Sequence, residues 1–237
     1  MAKKRIPKWK QKRNPKVEVQ TTHVPLCALG TVMQEKKVFE PLHRLVEIPQ
    51  KTLLYRPTDK LVFATLGIMA GAESVYDINT VLRPHQPLSV AFGDETCADL
   101  SVIQQTMNAA TQANVHQLEQ ALQDLWNQHN QILPEIGART MEQPVTIDLD
   151  LSALPASKSA QQSKKGDVAK QKNQYARQLA RVVIPSTQEI VTQSLYPGNT
   201  VSCTVFHEMV DKMETVLQLD TKEKRHRESL RLDAGKG

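Results

Sequence analysis

Two aspartates, Asp148 and Asp150, alternate with apolar residues within the stretch 144–152. A period of two is typical of a strand with one apolar face and one polar face. Crowded carboxylates cost free energy, and a divalent cation offsets this cost because hard cations take carboxylate oxygens as ligands. The stretch therefore predicts either a cation site or the solvated face of an edge strand, and it leaves the two open. The apolar positions are Val145, Ile147, Leu149 and Leu151.

The composition of the chain is that of an ordinary globular protein, and it limits the number of domains and the cellular location that we expect. Of 237 residues, 40% are hydrophobic, 23% are charged and only 4% are aromatic, so one or two domains with aliphatic cores are expected. Cys27, Cys97 and Cys203 have neither zinc-site nor disulfide spacing, which favours a reducing, cytoplasmic location. No apolar stretch is long enough to cross a bilayer, so no membrane partner is expected.

The first 33 residues are interpreted as a basic arm and linker. The first sixteen residues contain eight positive charges and no acid, whereas the rest of the chain has a small excess of acids. Such an arm suits contact with DNA phosphates, and a solvated, disordered tail is the alternative. The predicted DNA-binding residues of the arm are Lys3, Lys4, Arg5, Lys8, Lys10, Lys12 and Arg13.

Residues 34–143 show mainly helical periodicity, whereas the Val- and Thr-rich residues 17–32 could include a short strand. Short helices joined by tight turns suit a helix-turn-helix DNA-binding and accessory region. An all-α packing domain without groove contacts is an equal alternative, and no recognition helix can be chosen. The predicted helices cover about 35–46, 58–69, 74–82, 97–107 and 114–133.

The pattern changes after Pro144, and residues 144–237 are predicted to form a separate domain. The order is a strand, a polar basic loop over 153–173, a hairpin, a helix capped near Thr200 or Ser202, and a last strand ending at Asp233. A crossover through the helix would make the last strand parallel to the first. Asp150 and Asp233, each at the exit of its strand, would then share one edge of the sheet.

These motifs, in this order, resemble bacterial insertion-sequence transposases of the Asp-Asp-Glu type. The matching stretches are 146–152, Lys165-Gly166, 175–182, 195–199 and 230–235. The resemblance implies an α+β or α/β protein with a helical region followed by an incomplete RNase H-like fold. It also implies cutting of transposon ends and their joining to target DNA, with magnesium or manganese as cofactor.

The resemblance assigns roles to three aspartates. Asp150 matches the first catalytic aspartate, two positions before the hydroxyl residue Ser152, and Asp233 matches the second. Asp148 is the alternative if the register shifts by one strand repeat. Asp150 and Asp233 would ligate the metal ions, by the general two-metal scheme. Basic residues near this edge, Lys164, Lys165, Lys170, Lys172 and Arg177, are predicted to touch DNA phosphates, with a solvated loop as the alternative.

The sequence also departs from the family pattern. The family's glutamate has no counterpart before Gly237, and Lys236 and Asp167 stand where the family usually has aromatics. We therefore expect a truncated transposase, weak or inactive alone. One alternative is a non-enzymatic DNA-binding remnant that occupies element ends or pairs with full-length transposase. Others are a decayed product with an unstable second half and an unrelated helical interaction protein with a basic tail.

Overall fold

A computed structural model of the protein describes residues 20–51, 54–138, 143–168, 171–219, 225 and 228–232. The basic arm, Lys170 and Asp233 therefore lie outside the described residues. The structure is mixed, with helices in its first half and a five-stranded sheet in its second. The contacts divide it into two units between Leu125 and Trp126. No helix of the described ranges is long and apolar enough to span a bilayer.

The first unit is helical, as predicted for most of its length. Its core includes Phe63, Leu66, Ile78 and Leu82, which are almost fully buried. The helices are α1 (Val24–Glu35), α2 (Glu40–Leu45), α3 (Pro57–Met69), α4 (Ile78–Val81), α5 (Gln86–Ala91), α6 (Leu100–Ala109) and α7 (Gln112–His129), with a 3-10 turn at Val75–Asp77 before α4. The last four residues of α7 belong to the second unit.

Two local predictions for the first unit were wrong. The described residues of the stretch 17–32, which begin at residue 20, contain no strand; helix α1 occupies them from Val24, has a proline in its first turn and packs Leu26 and Met33 against the core. The helix predicted from residue 35 is interrupted, because Lys37 has a positive φ of 52°, and α2 begins only at Glu40. Helical periodicity in the sequence did not reveal this break.

The second unit contains α8 (Ile132–Ala138), the strands and α9 (Ser202–Val216). The strands are β1 (Val145–Pro155), β2 (Lys164–Val168), β3 (Gln171–Ile184), β4 (Glu189–Pro197) and β5 (Glu228–Leu232). β3 is antiparallel to both β1 and β4, whereas β5 is parallel to β1. The predicted order of strand, hairpin, helix and parallel strand is confirmed.

The loop predicted over residues 153–173 was wrong for most of its length. β1 continues to Pro155, and β2 pairs with the first half of β3. This region is rich in Lys, Ser and Gln, so it lacks the apolar alternation that identifies a strand in the sequence. The long β3 supplies a free edge, and backbone hydrogen bonding to that edge forms β2 without an apolar face.

One face of the sheet forms the core of the second unit. Ile147 and Leu149 from β1 and Val182 from β3 are buried there against Met209 and Met213 of α9. Thr146 on the other face of β1 is exposed, so the alternation predicted for this strand is confirmed. Helix α9 begins after Val201 without a side-chain cap, unlike the Thr200 or Ser202 cap expected.

Two glycines meet where β2 and β4 adjoin. Ala176 of β3 pairs with β1 on one side and with Lys164 of β2 on the other. The next residue of β3 pairs with β1 on the first side and with β4 on the second. β2 and β4 therefore share one edge of β3. A Cβ at Gly198 would meet the carbonyl oxygens of Ala176 and Lys164, and a Cβ at Gly166 would meet the carbonyl oxygen of Gly198. Only glycine fits this close backbone approach.

Candidate functional site

The candidate site lies where β1 and β5 run side by side. Asp148 pairs with Arg231 and Leu149 with Leu232, and the parallel ladder ends there. Asp150 is the next residue of β1. In the sequence Asp233 follows Leu232 directly, but it lies outside the described residues. Asp150 is not at the exit of β1 as expected, because β1 continues beside the long β3 to Pro155.

Asp148 is held by an arginine from β5. The Nε of Arg231 donates to Oδ1 of Asp148 at 2.7 Å and an Nη to Oδ2 at 2.5 Å, a two-pronged ion pair between neighbouring strands. Hydrogen bonding to Asp148 and its charge raise the pKa of Arg231 above its usual value. Both oxygens of Asp148 are therefore engaged, which makes it the weaker candidate for a metal ligand.

Arg231 was not predicted from the sequence. It precedes Asp233 by two residues, as Asp148 precedes Asp150, so the two strands carry matching offsets. With the two strands parallel and adjacent, this equal spacing indicates that Arg231 and Asp148 are paired. The pairing also depends on the register of the strands, which aligns these two residues although they are 83 positions apart in the sequence.

Asp150 lies in a different environment from Asp148. It is half-buried on the face of β1 opposite the core, and it accepts a hydrogen bond of 2.7 Å from the hydroxyl of Ser152. Its backbone partner on the neighbouring strand β3 is Arg181. The part of the chain that the structure describes contains no group of three His, Cys, Asp or Glu residues that could hold a metal ion. Asp150 thus offers one carboxylate to a cation, and any further ligands must lie elsewhere.

The predicted phosphate contacts are spread over different surfaces. Lys165 pairs with Tyr175 and therefore shares a face of the sheet with Arg177, two residues further along β3. Lys164 pairs with Ala176 and belongs to the opposite face. Lys172 is exposed and lies before Asn173, whose positive φ of 62° interrupts the strand alternation. Lys170 and the residues of the basic arm lie outside the described ranges.

Comparison with protein-family models, with curated proteins and with solved structures found no match. The fold and the site alone define the class: a mixed helix-and-sheet protein with a carboxylate on the face of the sheet opposite its core. The function is therefore argued from residues and geometry.

Proposed function

We propose that this chain is part of a DNA transposase of the Asp-Asp-Glu type, in which Asp150 and Asp233 hold divalent cations for cleavage and transfer of DNA strands. The observation that carries the proposal is the parallel register of β1 and β5. Leu149 and Leu232 are partners, and each of the two aspartates is the next residue in its chain segment. Acids that follow paired residues of adjacent parallel strands are suited to sharing a cation.

The topology of the second unit supports an RNase H-like fold. β4, β3, β1 and β5 are successive neighbours, with two antiparallel pairs and one parallel pair. Helix α9 lies between β4 and β5 in the chain and packs on the sheet through Val205, Met209 and Met213. This arrangement is the one expected from the sequence motifs that resemble the transposases.

Magnesium or manganese suits the donor chemistry of Asp150, because both ions prefer oxygen ligands. When bound, such an ion activates the attacking oxygen and stabilises the leaving oxygen of a phosphodiester. Ser152 orients the Asp150 carboxylate by donating a hydrogen bond to it. Asp148 remains paired with Arg231 and contributes structure rather than a ligand. With only two of the family's three acids identified, we expect weak metal binding.

Replacing Asp150 with asparagine should weaken metal binding. We expect calorimetric titration with manganese to show weak binding to the unmodified chain and at least tenfold weaker binding to Asp150→Asn, because a neutral amide loses the charge of the ligand. Asp211→Asn, which neutralises an exposed carboxylate on α9, is the matched control and should bind as the unmodified chain does.

The same titration distinguishes the two neighbouring aspartates. If Asp148→Asn lost the binding heat and Asp150→Asn kept it, the assignment of Asp150 would be wrong. Equal heats for all variants would contradict a metal site at this edge, whereas loss in Asp211→Asn would point to non-specific binding. Thermal unfolding of each variant shows whether the fold is kept.

A non-enzymatic DNA-binding role is the second candidate. The observation that favours it is that the described residues contribute one available carboxylate at the site, since Asp148 is ion-paired. Under this proposal the chain occupies element ends or modulates full-length transposase. An electrophoretic mobility-shift assay with element-end DNA, combined with a plasmid-nicking assay, distinguishes the DNA-binding role from the enzyme. Shift without manganese-dependent nicking supports binding alone, and nicking that Asp150→Asn abolishes supports the enzyme.

A further inference from the structure

The face of the sheet opposite the core, called here the open sheet face, carries an unusual row of side chains. Along β3 this row is Tyr175, Arg177, Leu179 and Arg181, at successive alternate positions. In the described part of the second unit, α8 and α9 both pack on the core face. The row is thus left without a helix over it among those residues.

The two arginines of the row have unpaired donors among the residues that the structure describes. The Nε atoms of Arg177 and Arg181 are shielded from solvent and have no hydrogen-bond partner within that part of the chain. Neither guanidinium forms an ion pair with any residue that the structure describes, although Asp150 is the backbone partner of Arg181. Their side chains therefore lie against the sheet at a cost in unsatisfied donors. A guanidinium held in this way is suited to binding phosphate oxygens, for which its planar donors are matched.

An aromatic ring and a further cation extend the row. The Nζ of Lys165 lies 5.8 Å from the ring centre of Tyr175, and Tyr175 precedes Arg177 by two residues on the same face. Aromatic rings next to cationic side chains are the usual combination in sites for single-stranded nucleic acid, since bases stack and phosphates bind the cations. Arg181 and Tyr175 were not predicted from the sequence as DNA-binding residues. The feature that could have indicated them is their spacing from Arg177, which places all three on one face of a strand.

We propose that the open sheet face binds a single strand of DNA that runs along β3 from Tyr175 to Arg181, towards Asp150. This inference rests on the proposed function and names the path of its substrate. Arg177 and Arg181 are about 13 Å apart along an extended strand, a distance that several consecutive phosphates span. Lys165 and the two arginines outnumber Asp150 and Asp233, the two acids of the proposed site, and the charge of Asp148 is balanced by Arg231. The face therefore attracts a polyanion despite its carboxylates.

The test measures binding of the full chain to a fluorescent oligothymidylate of about 16 nucleotides, in EDTA, over a series of salt concentrations. In the Arg177→Gln, Arg181→Gln double variant, loss of two phosphate contacts should lower the slope of log affinity against log salt by about 1.4. The matched control is Lys158→Gln, Lys212→Gln, which removes two exposed charges of the second unit that are not part of the row, and it should leave the slope within experimental error.

Tyr175 provides a second, independent readout. Tyr175→Ala should weaken binding of the single strand about tenfold through loss of stacking, and Tyr175→Phe should restore it. A duplex of the same sequence should bind Tyr175→Ala as well as the unmodified chain, because its bases are already stacked. Thermal unfolding of every variant shows whether the sheet is intact.

Three results would overturn the proposal. They are an unchanged salt slope in the arginine variant, an equal loss of slope in the lysine control, and tighter binding of an RNA oligonucleotide of matching sequence. Because the measurement is made without metal, it is independent of cleavage. Metal binding and DNA binding are measured separately, so loss of metal binding with an intact DNA site, or the reverse, distinguishes failure of this inference from failure of the proposed function.

Discussion

Replacing Gly198 with alanine is expected to lower the free energy of unfolding of the second unit by about 3 kcal/mol. The new Cβ would overlap the carbonyl oxygens of Ala176 and Lys164. Both oxygens belong to the backbone of paired strands, so neither can move aside as a flexible side chain would. Relief of the overlap requires separation of β2 or β4 from their shared edge of β3, and this loses hydrogen bonds of the ladder.

Tryptophan fluorescence during urea unfolding measures this effect. Trp126 packs against the core of the second unit, so in a Trp9→Phe background it reports on that unit. Asn199→Ala is the matched control, since Asn199 is exposed and adjacent, and it should change stability by less than about 0.5 kcal/mol. Equal midpoints for Gly198→Ala and the unmodified chain would show that β2 and β4 do not meet as described.

Replacing Asp94 with asparagine is expected to stabilise the first unit near pH 7 and to change its dependence on pH. The pKa of Asp94 is raised to about 6, mainly by burial and also by the nearby charge of Asp59, while Arg56 opposes the change in part. The carboxyl group therefore holds its proton more tightly in the folded state. Its contribution to stability is complete below about pH 4 and is lost as the pH rises through about 6.

The size of the effect follows from the shift. Two pKa units would correspond to about 3 kcal/mol, but Asp94 is only half-buried and solvent screening reduces the effect, so Asp94→Asn should be more stable than the unmodified chain by about 1 to 2 kcal/mol at about pH 7.5 and by little at about pH 4. No hydrogen bond to the Asp94 side chain occurs among the described residues, so the amide loses no partner.

Hydrogen exchange of peptides from α3 and α5 at several pH values measures this prediction for the first unit alone. Glu73→Gln is the control because Glu73 is exposed in the same unit, and it should leave the pH profile unchanged. A difference between Asp94→Asn and the unmodified chain that stays constant from about pH 4 to 7.5 would contradict the prediction.

Much of the fold was predictable because its signals are local. The alternation in β1 identified the buried positions, and the order of strand, hairpin, helix and parallel strand followed from periodicity and turn residues. β2 was missed, because it is polar and exists through pairing with β3. Helix α8 precedes Pro144, and its Ile132 and Ile136 belong to the core of the second unit.

The candidate site was predictable only in part. The sequence pattern selected Asp148 and Asp150 together, and the resemblance favoured Asp150, with Asp148 as the alternative. The structure adds that Arg231 engages Asp148 through two hydrogen bonds, whereas Asp150 accepts one from Ser152. The row on the open sheet face was equally hidden, because Lys165 and Tyr175 are brought together by strand pairing.

The sequence by itself determined which positions of β1 are apolar and which are acidic, and it determined the order of the elements. These properties depend on neighbours within a few residues, where side-chain periodicity and turn chemistry act. The tertiary structure decided that Asp148 pairs with Arg231 and that Gly198 has no room for a side chain. Both depend on the register between segments distant in the chain, and that register is set by the packing of the whole sheet.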